Sequence, residues 1–275
     1  MKPDAPVIIG YDAVSPLGVD LATQWQNALA GRSGVSELTR FALTDDFPVR
    51  IAGQAPAIDD LPYPFLTPRE RARWPSPIFK YALLTVQRAL ERAGLEITAE
   101  IAPRTAITYS SAVGGLDAVL NADRLMRDEQ RLPPPVTNPN SCINMVGGMV
   151  SIMTRATGPI CATITACATG ATSLAMGALL LAQDQADVVI CGAVDFPLVE
   201  PIVAGFATMN GAYQPKEDEA QGAPGAASRP FALHRRGFVV SEGAGCLLLA
   251  KESFAKTHGL PYAIALAGYS MTSDA

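Results

Sequence analysis

The chain has 275 residues, 49% hydrophobic and 17% charged, which is ample material for a core and too little charge for a solvated or coiled assembly. Its net charge of −5, with no long basic run, excludes a surface that gathers nucleic acid non-specifically. Five scattered cysteines with no Cys-x-x-Cys pair argue against disulfides and zinc, and no apolar run approaches a membrane span. Met1–Pro6 lacks the regions of a signal peptide, so a cytoplasmic protein with reduced thiols is expected, partnered by neither membrane nor nucleic acid.

Strand-like and helix-like segments alternate from end to end, the sequence form of an α/β sheet covered on both faces. Val7-Ile8-Ile9 predicts a short first strand, and Leu21–Ala30 a helix stopped by Gly31. Ile78–Ala93 is the clearest helix, with Ala82, Val86, Leu90 and Ala93 on one face, Gln87, Arg88 and Glu91 on the other, and Gly94 as its stop. Thr105–Tyr109 predicts a strand that ends in the glycine turn Ser110–Gly115, which no lysine follows as a P-loop would require. Leu132–Asn140, with three consecutive prolines, and Gln214–Ser228, with a charged run, predict surface loops. Asn144–Arg155 predicts a helix whose Met145, Met149 and Met153 fill a core. A strand before Cys167, a helix after it, a buried strand at Asp187–Cys191, a helix at Leu198–Phe206, and strands at Ala244–Ala250 and Tyr262–Met271 complete the pattern. No tandem repeat or linker divides it, so residues 1–275 are expected to form one domain or one half of a duplicated one.

Cys167 stands where an apolar stretch, Ile164-Thr165-Ala166, breaks into a helix of small residues, Ala168-Thr169-Gly170-Ala171. A thiol there projects outward, and the first-turn N–H groups of a helix favour a thiolate beside them. The small residues leave room for an acyl chain. The alternative is one more buried thiol acting as a small apolar group, the role expected of Cys161, Cys191 and Cys246 inside strand-like runs and of Cys142 before a helix.

The order of motifs resembles the N-terminal half of a β-ketoacyl-acyl carrier protein synthase of the elongating type. The resemblance runs through Ser15-Pro16-Leu17-Gly18, Leu29-Ala30-Gly31-Arg32-Ser33-Gly34, Ala112-Val113-Gly114-Gly115, Thr165–Gly170, Ser228-Arg229-Pro230-Phe231, Glu242-Gly243-Ala244-Gly245 and Ser273-Asp274-Ala275. It implies a thiolase-like layered α/β fold, of which this chain is the N-terminal βαβαβ repeat with insertions. Cys167 is then the residue that accepts an acyl group and condenses it with a carbanion from malonyl-carrier protein. The resemblance implies no bound cofactor, because acyl and malonyl groups arrive on the phosphopantetheine of acyl carrier protein or on coenzyme A.

Val113 and Phe206 match positions that line or gate the acyl pocket, and plain core packing is an equal reading of each. The family's two catalytic histidines, its lysine and its second oxyanion donor belong to the C-terminal half, and neither His234 nor His258 sits in those motifs. The expected partners are therefore acyl carrier protein and a C-terminal synthase half or synthase-like subunit, in a homo- or hetero-oligomer. Arg69-Glu70-Arg71-Ala72-Arg73 falls where relatives present part of a carrier-docking surface, or is an ordinary solvated face; Asn210 replaces another docking arginine. Ala232 and Arg236 stand where the family has acidic residues, a departure that suits a noncatalytic subunit resembling chain-length factors; retention of Cys167 favours the enzyme.

Overall fold

A computed structural model describes residues 4–61, 66–214 and 224–273. In chain order the first elements are β1 (Pro6–Val14), α1 (Leu21–Leu29), β2 (Val35–Glu37), β3 (Ile51–Gly53) and α2 (Pro68–Arg73). They are followed by α3 (Pro77–Ala93), β4 (Thr105–Ser110), α4 (Leu116–Arg127), α5 (Thr137–Ser141) and α6 (Met145–Thr154). The chain continues through α7 (Thr169–Ala182), β5 (Val188–Asp195), α8 (Glu200–Thr208), β6 (Gly243–Lys251), α9 (Glu252–Thr257) and β7 (Ile264–Ala265).

These elements form two compact units, one of Met1–Ala13, Leu61–Asp195 and Ala244–Ala275, the other of Val14–Asp60 and Phe196–Gly243. The first holds a five-stranded sheet of order β4-β5-β6-β1-β7, with β4 and β5 parallel from Thr105↔Val188 to Ser110↔Ala193. Side chains alternate across a strand, so β5 turns Val189, Cys191 and Ala193 to one face and Ile190 and Gly192 to the other. The first face meets α7: a β-carbon on Gly177 would lie 2.5 Å from Cys191 Sγ, and one on Gly170 would lie 3.6 Å from Ala193 Cβ. The second face meets α3 and α6. Thr85 and Tyr109 hydroxyls lie 3.1 Å apart there, and Gly147 of α6 faces the Tyr109 carbonyl and Ile107. The sheet is thus covered on both faces, as its apolar strands predict.

Gly94 ends α3 at φ +63, a left-handed cap that glycine adopts without strain. At the start of β4 and β5, Arg104 binds Asp187 through Nε at 2.5 Å and Asp184 through Nη2 at 2.6 Å, while Lys251 Nζ reaches Asp187 at 2.8 Å and also contacts Asp184. The hydrogen bond from Arg104, then the Lys251 contact, hold Asp187 down to about 2 against partial burial. A depressed carboxylate adds stability above the unfolded value of about 3.9 and loses it as pH falls through about 2. Asp187→Asn is expected to unfold at lower urea at neutral pH, with its deficit closing as pH falls below about 4; a deficit independent of pH would contradict this charge role.

Asp12 of β1 is buried opposite Arg92, at 3.4 Å, and Arg88, at 4.0 Å, both on α3. Burial outweighs the two arginines and pushes its carboxyl up to about 6. Here the sign reverses: its contribution is full below about pH 4 and is lost as pH rises through about 6. Asp12→Asn is expected to remove part of the fall in urea midpoint between about pH 4 and pH 7, and an unchanged fall would exclude Asp12 as its source.

The second unit carries the antiparallel pair β2–β3, registered Val35↔Gly53 to Glu37↔Ile51, and a core of Leu38, Val49, Ala52, Leu198, Val203 and Val240. Glu242, 6% exposed, accepts from Arg40 Nε at 2.9 Å and Nη2 at 2.5 Å and from the Ala55 N–H at 3.0 Å. The Arg40 guanidinium also donates to the Ala55 carbonyl at 2.6 Å.

Four expectations need correction. Tyr262–Met271 contributes only β7, because Ile264 and most of its neighbours are exposed and just Ile8↔Ile264 and Val7↔Ala265 pair. The segment before Cys167 makes single bridges rather than a strand: Ile107↔Ile160 is parallel, and Ile160 and Ile164 stay exposed. Cys161 is accordingly half-buried, and Cys142 is exposed, so the core role holds for Cys191 and Cys246 alone. Leu132–Asn140 is not wholly irregular, since α5 begins at Thr137. The charged part of the Gln214–Ser228 loop and the final Asp274-Ala275 lie outside the described residues.

Candidate active site

The turn into α7 is closed by its own backbone and locked by threonines. Ala168 N–H donates to the Thr165 carbonyl and Thr169 N–H to the Ala166 carbonyl, each at 3.0 Å. The Thr169 hydroxyl donates to the Ala166 carbonyl at 2.7 Å and accepts from the Thr165 N–H at 3.1 Å, while Thr165 and Thr172 hydroxyls lie 2.6 Å apart. Ala166 is thereby held at φ +47, a left-handed conformation that costs an alanine energy and persists only when its surroundings impose it. The result is a sharp bend that leaves Cys167 exposed, the placement its sequence position predicts.

α7 is seated by Ser173, whose hydroxyl lies 3.0 Å from the Thr108 hydroxyl, bonds the Thr108 carbonyl, and accepts from the Gly192 N–H at 2.8 Å. With Gly170 over Ala193 and Gly177 over Val189 and Cys191, the helix runs opposite to β5. Its N-terminus, and Cys167 with it, therefore stands at the carboxyl edge of β4 and β5, the edge where open α/β sheets place ligands.

Val113 stands at that same edge, in the turn that follows β4. There Asp195 Oδ1, at the end of β5, accepts from the Ser111 hydroxyl at 2.9 Å, the Ala112 N–H at 2.9 Å and the Val113 N–H at 3.0 Å. Burial pushes the Asp195 carboxyl up from its ordinary value, and these three donors oppose that rise. Ser111 Oγ in turn accepts from the Gly114 N–H at 2.8 Å. The glycines are required: Gly114 has φ +67, and a β-carbon on Gly115 would fall 1.9 Å from the Asn140 carbonyl oxygen. The Ser110 hydroxyl donates to the Thr163 carbonyl at 2.5 Å, tying the end of β4 to the segment that leads to Cys167.

Phe206 lies on α8 of the second unit, half-buried against that unit's core and edge-on to Phe238 at 5.2 Å. Of the two histidines, His258 caps α9 and stacks on Phe254 at 4.0 Å, the solvent-side helix-end role its sequence predicts. His234 is exposed on the Ser228–Phe238 loop, beside the strongly exposed Phe231 and Leu233. In α2, Thr67 and Glu70 form a capping box, so Glu70 is turned to the helix start, and Arg69 and Arg73 are exposed. Sequence reasoning missed Asp195 and the Thr165–Thr169–Thr172 lock. An acidic residue ending a buried strand was the one available signal for the first; hydroxyls three and four residues apart at a helix start were the signal for the second.

Among the described residues no group of three or more His, Cys, Asp or Glu side chains is placed to hold a metal ion, and no helix is long and apolar enough to cross a membrane.

A sheet covered on both faces, with a thiol on a sharp bend before a small-residue helix at its carboxyl edge, defines a thiolase-like α/β protein. The family described as beta-ketoacyl synthase, N-terminal domain, matches residues 5–255, and the chain belongs to that family. It is 33% identical over 270 residues to a 3-oxoacyl-[acyl-carrier-protein] synthase 2 of Coxiella burnetii, covering 98% of this chain and 63% of that protein. A Staphylococcus aureus protein of the same name is 32% identical and is covered to 64%. Among solved structures, a beta-ketoacyl synthase from Burkholderia phymatum superposes with a TM-score of 0.81 at 25% identity, over 94% of this chain and 62% of that one. The fold also matches, at TM-score 0.79 and 22% identity, a type II PKS acyl-carrier protein in complex with its ketosynthase, over 97% of this chain and 63% of that one. The chain thus spans somewhat under two thirds of the length of these relatives.

Proposed function

We propose that this chain is the nucleophile-bearing part of a β-ketoacyl-acyl carrier protein synthase acting in fatty-acid or polyketide synthesis. The observation that carries the reading is the exposed Cys167 on the strained bend before α7, inside the region that matches the family. In the proposed reaction the Cys167 thiolate attacks an acyl thioester; an S–acyl bond forms and the phosphopantetheine thiol leaves with a proton. A malonyl thioester then loses carbon dioxide, and its enolate carbon attacks the acyl carbonyl. The β-ketoacyl thioester departs and the Cys167 thiolate is regenerated.

The Cys167 N–H supplies one donor for the oxyanion, and a second must converge on it. That donor, and the groups that activate malonate, are assigned to a C-terminal synthase half, with which the chain works in an oligomer. Val113 is assigned to the acyl pocket, and Arg69, Arg71 and Arg73 to docking an acidic carrier protein. The experiment combines the chain with a polypeptide carrying a synthase C-terminal half, acyl-carrier protein and malonyl-carrier protein. A β-ketoacyl product and released carbon dioxide, both dependent on this chain, are expected; a folded complex that yields neither would refute the enzyme reading.

One observation favours a second reading, a noncatalytic subunit paired with an active ketosynthase. The Ser228–Phe238 loop carries Ala232 and Arg236 and exposes Phe231 at 98% and Leu233 at 87%, which suits a surface covered by another subunit. In that case the chain alters the partner's product length while Cys167 stays unacylated.

A further inference from the structure

We propose that Asp195 is a positioning residue for the Ser111–Gly115 turn and, through Val113, sets which acyl chains Cys167 accepts. The inference rests on the reading that Cys167 is acylated and that Val113 lines the acyl pocket. One carboxylate oxygen gathers three donors from three consecutive residues, Ser111 Oγ and the Ala112 and Val113 N–H groups, all within 3.0 Å. The hold extends one residue further, because Ser111 Oγ, while donating to Asp195, accepts from the Gly114 N–H.

Asp195 therefore clamps this turn from the strand side. Gly114 at φ +67 and Gly115 pressed on the Asn140 carbonyl provide conformational freedom and close approach, not stiffness. Asp195 is well placed to supply that stiffness, being the last residue of β5, whose register with β4 is continuous up to Ser110↔Ala193. A fixed strand end thus dictates the backbone position of Val113. Val113 is half-buried at the same sheet edge as Cys167, so a shift of its backbone changes the space open to the end or flank of an acyl chain. Removing the acceptor leaves three donors to find other partners, and the turn must move to satisfy them.

The test is acyl uptake on Cys167 of the full chain, paired with a complementing synthase C-terminal half, from butyryl- and palmitoyl-pantetheine, read by mass spectrometry as the ratio of the two rates. Asp195→Ala is expected to change that ratio by about tenfold, equivalent to about 1.4 kcal/mol of discrimination. Asp195→Asn keeps an oxygen at the same place and is expected to stay within about twofold of wild type, the rescue a positioning role requires. Ser111→Ala, which removes one donor and the Gly114 acceptor, covers the case in which Asp195→Ala fails to fold, and should shift the ratio in the same direction by a smaller factor. A folded Asp195→Ala or Ser111→Ala chain with the wild-type ratio overturns the inference. So does an Asp195→Asn chain that behaves like Asp195→Ala, since charge rather than position would then be at work. Wild-type chain that takes up neither acyl group overturns the reading beneath the inference, a result distinct from an unchanged ratio.

Discussion

Cys167→Ala is expected to abolish acyl uptake and, with a complementing synthase half, to lower elongation by at least about 10⁴-fold, the scale on which removal of a nucleophile acts. Cys161→Ala should remain near wild type in both assays. The two thiols lie six residues apart in the sequence but differ in setting. Cys167 is exposed on a bend imposed by the threonine lock, directly before the first turn of α7. Cys161 is half-buried beside the single bridge that joins Ile160 to Ile107, and its truncation should cost less than about 1 kcal/mol of stability. Cys142, also exposed, precedes α6 without such a bend and serves as a second control. Full elongation by Cys167→Ala would remove the nucleophile assignment and leave the noncatalytic-subunit reading in its place. Cys167→Gln is informative in a different way: its amide imitates an acyl thioester, and carbon dioxide release from malonyl-carrier protein without condensation is the expected outcome.

The second large effect concerns stability. Arg40→Ala leaves the Glu242 carboxylate, with its side chain 4% exposed, without its guanidinium partner. Breaking a buried ion pair from one side costs about 3–5 kcal/mol, because a desolvated charge is left behind. The remaining Ala55 N–H and the partial exposure of Arg40 place this case near the lower end, about 3 kcal/mol. Glu242→Gln retains an acceptor for the Ala55 N–H and should lose less. Urea unfolding of the full chain is the measurement, and an Arg40→Ala midpoint equal to wild type would show that solvent already screens the pair.

Local pattern carried much of this fold. The apolar periodicity of α3 and its glycine stop, the fully buried β4 and largely buried β5, and the small-residue helix after Cys167 are all features that neighbouring residues impose on one another, and each is present. What pattern could not supply is pairing across long separations. Arg40 and Glu242 are 202 residues apart, and Ser111 and Asp195 are 84 apart, so no window along the chain contains both members. The stretch Tyr262–Met271 shows the converse failure: its apolar residues suit a strand, but its ladder with β1 is limited to Ile8↔Ile264 and Val7↔Ala265 and one bond from the Leu266 N–H to the Pro6 carbonyl. The same holds before Cys167, where Ile160 and Ile164 have the composition of a strand while the described chain offers only isolated bridges. The left-handed Ala166 had no signal at all, because alanine carries no preference for that conformation and the threonine hydroxyls that impose it act through the folded turn.

The most direct test of the central claim is the mass of the chain after incubation, together with a complementing synthase C-terminal half, with an acyl-carrier protein, followed by mapping of the added mass to a peptide. The account predicts one acyl group, lost on treatment with a thiol and located on the peptide that contains Cys167, with the Cys142 and Cys161 peptides unmodified. A chain that remains unacylated, or one that carries its acyl group on Cys142 or Cys161, would contradict it.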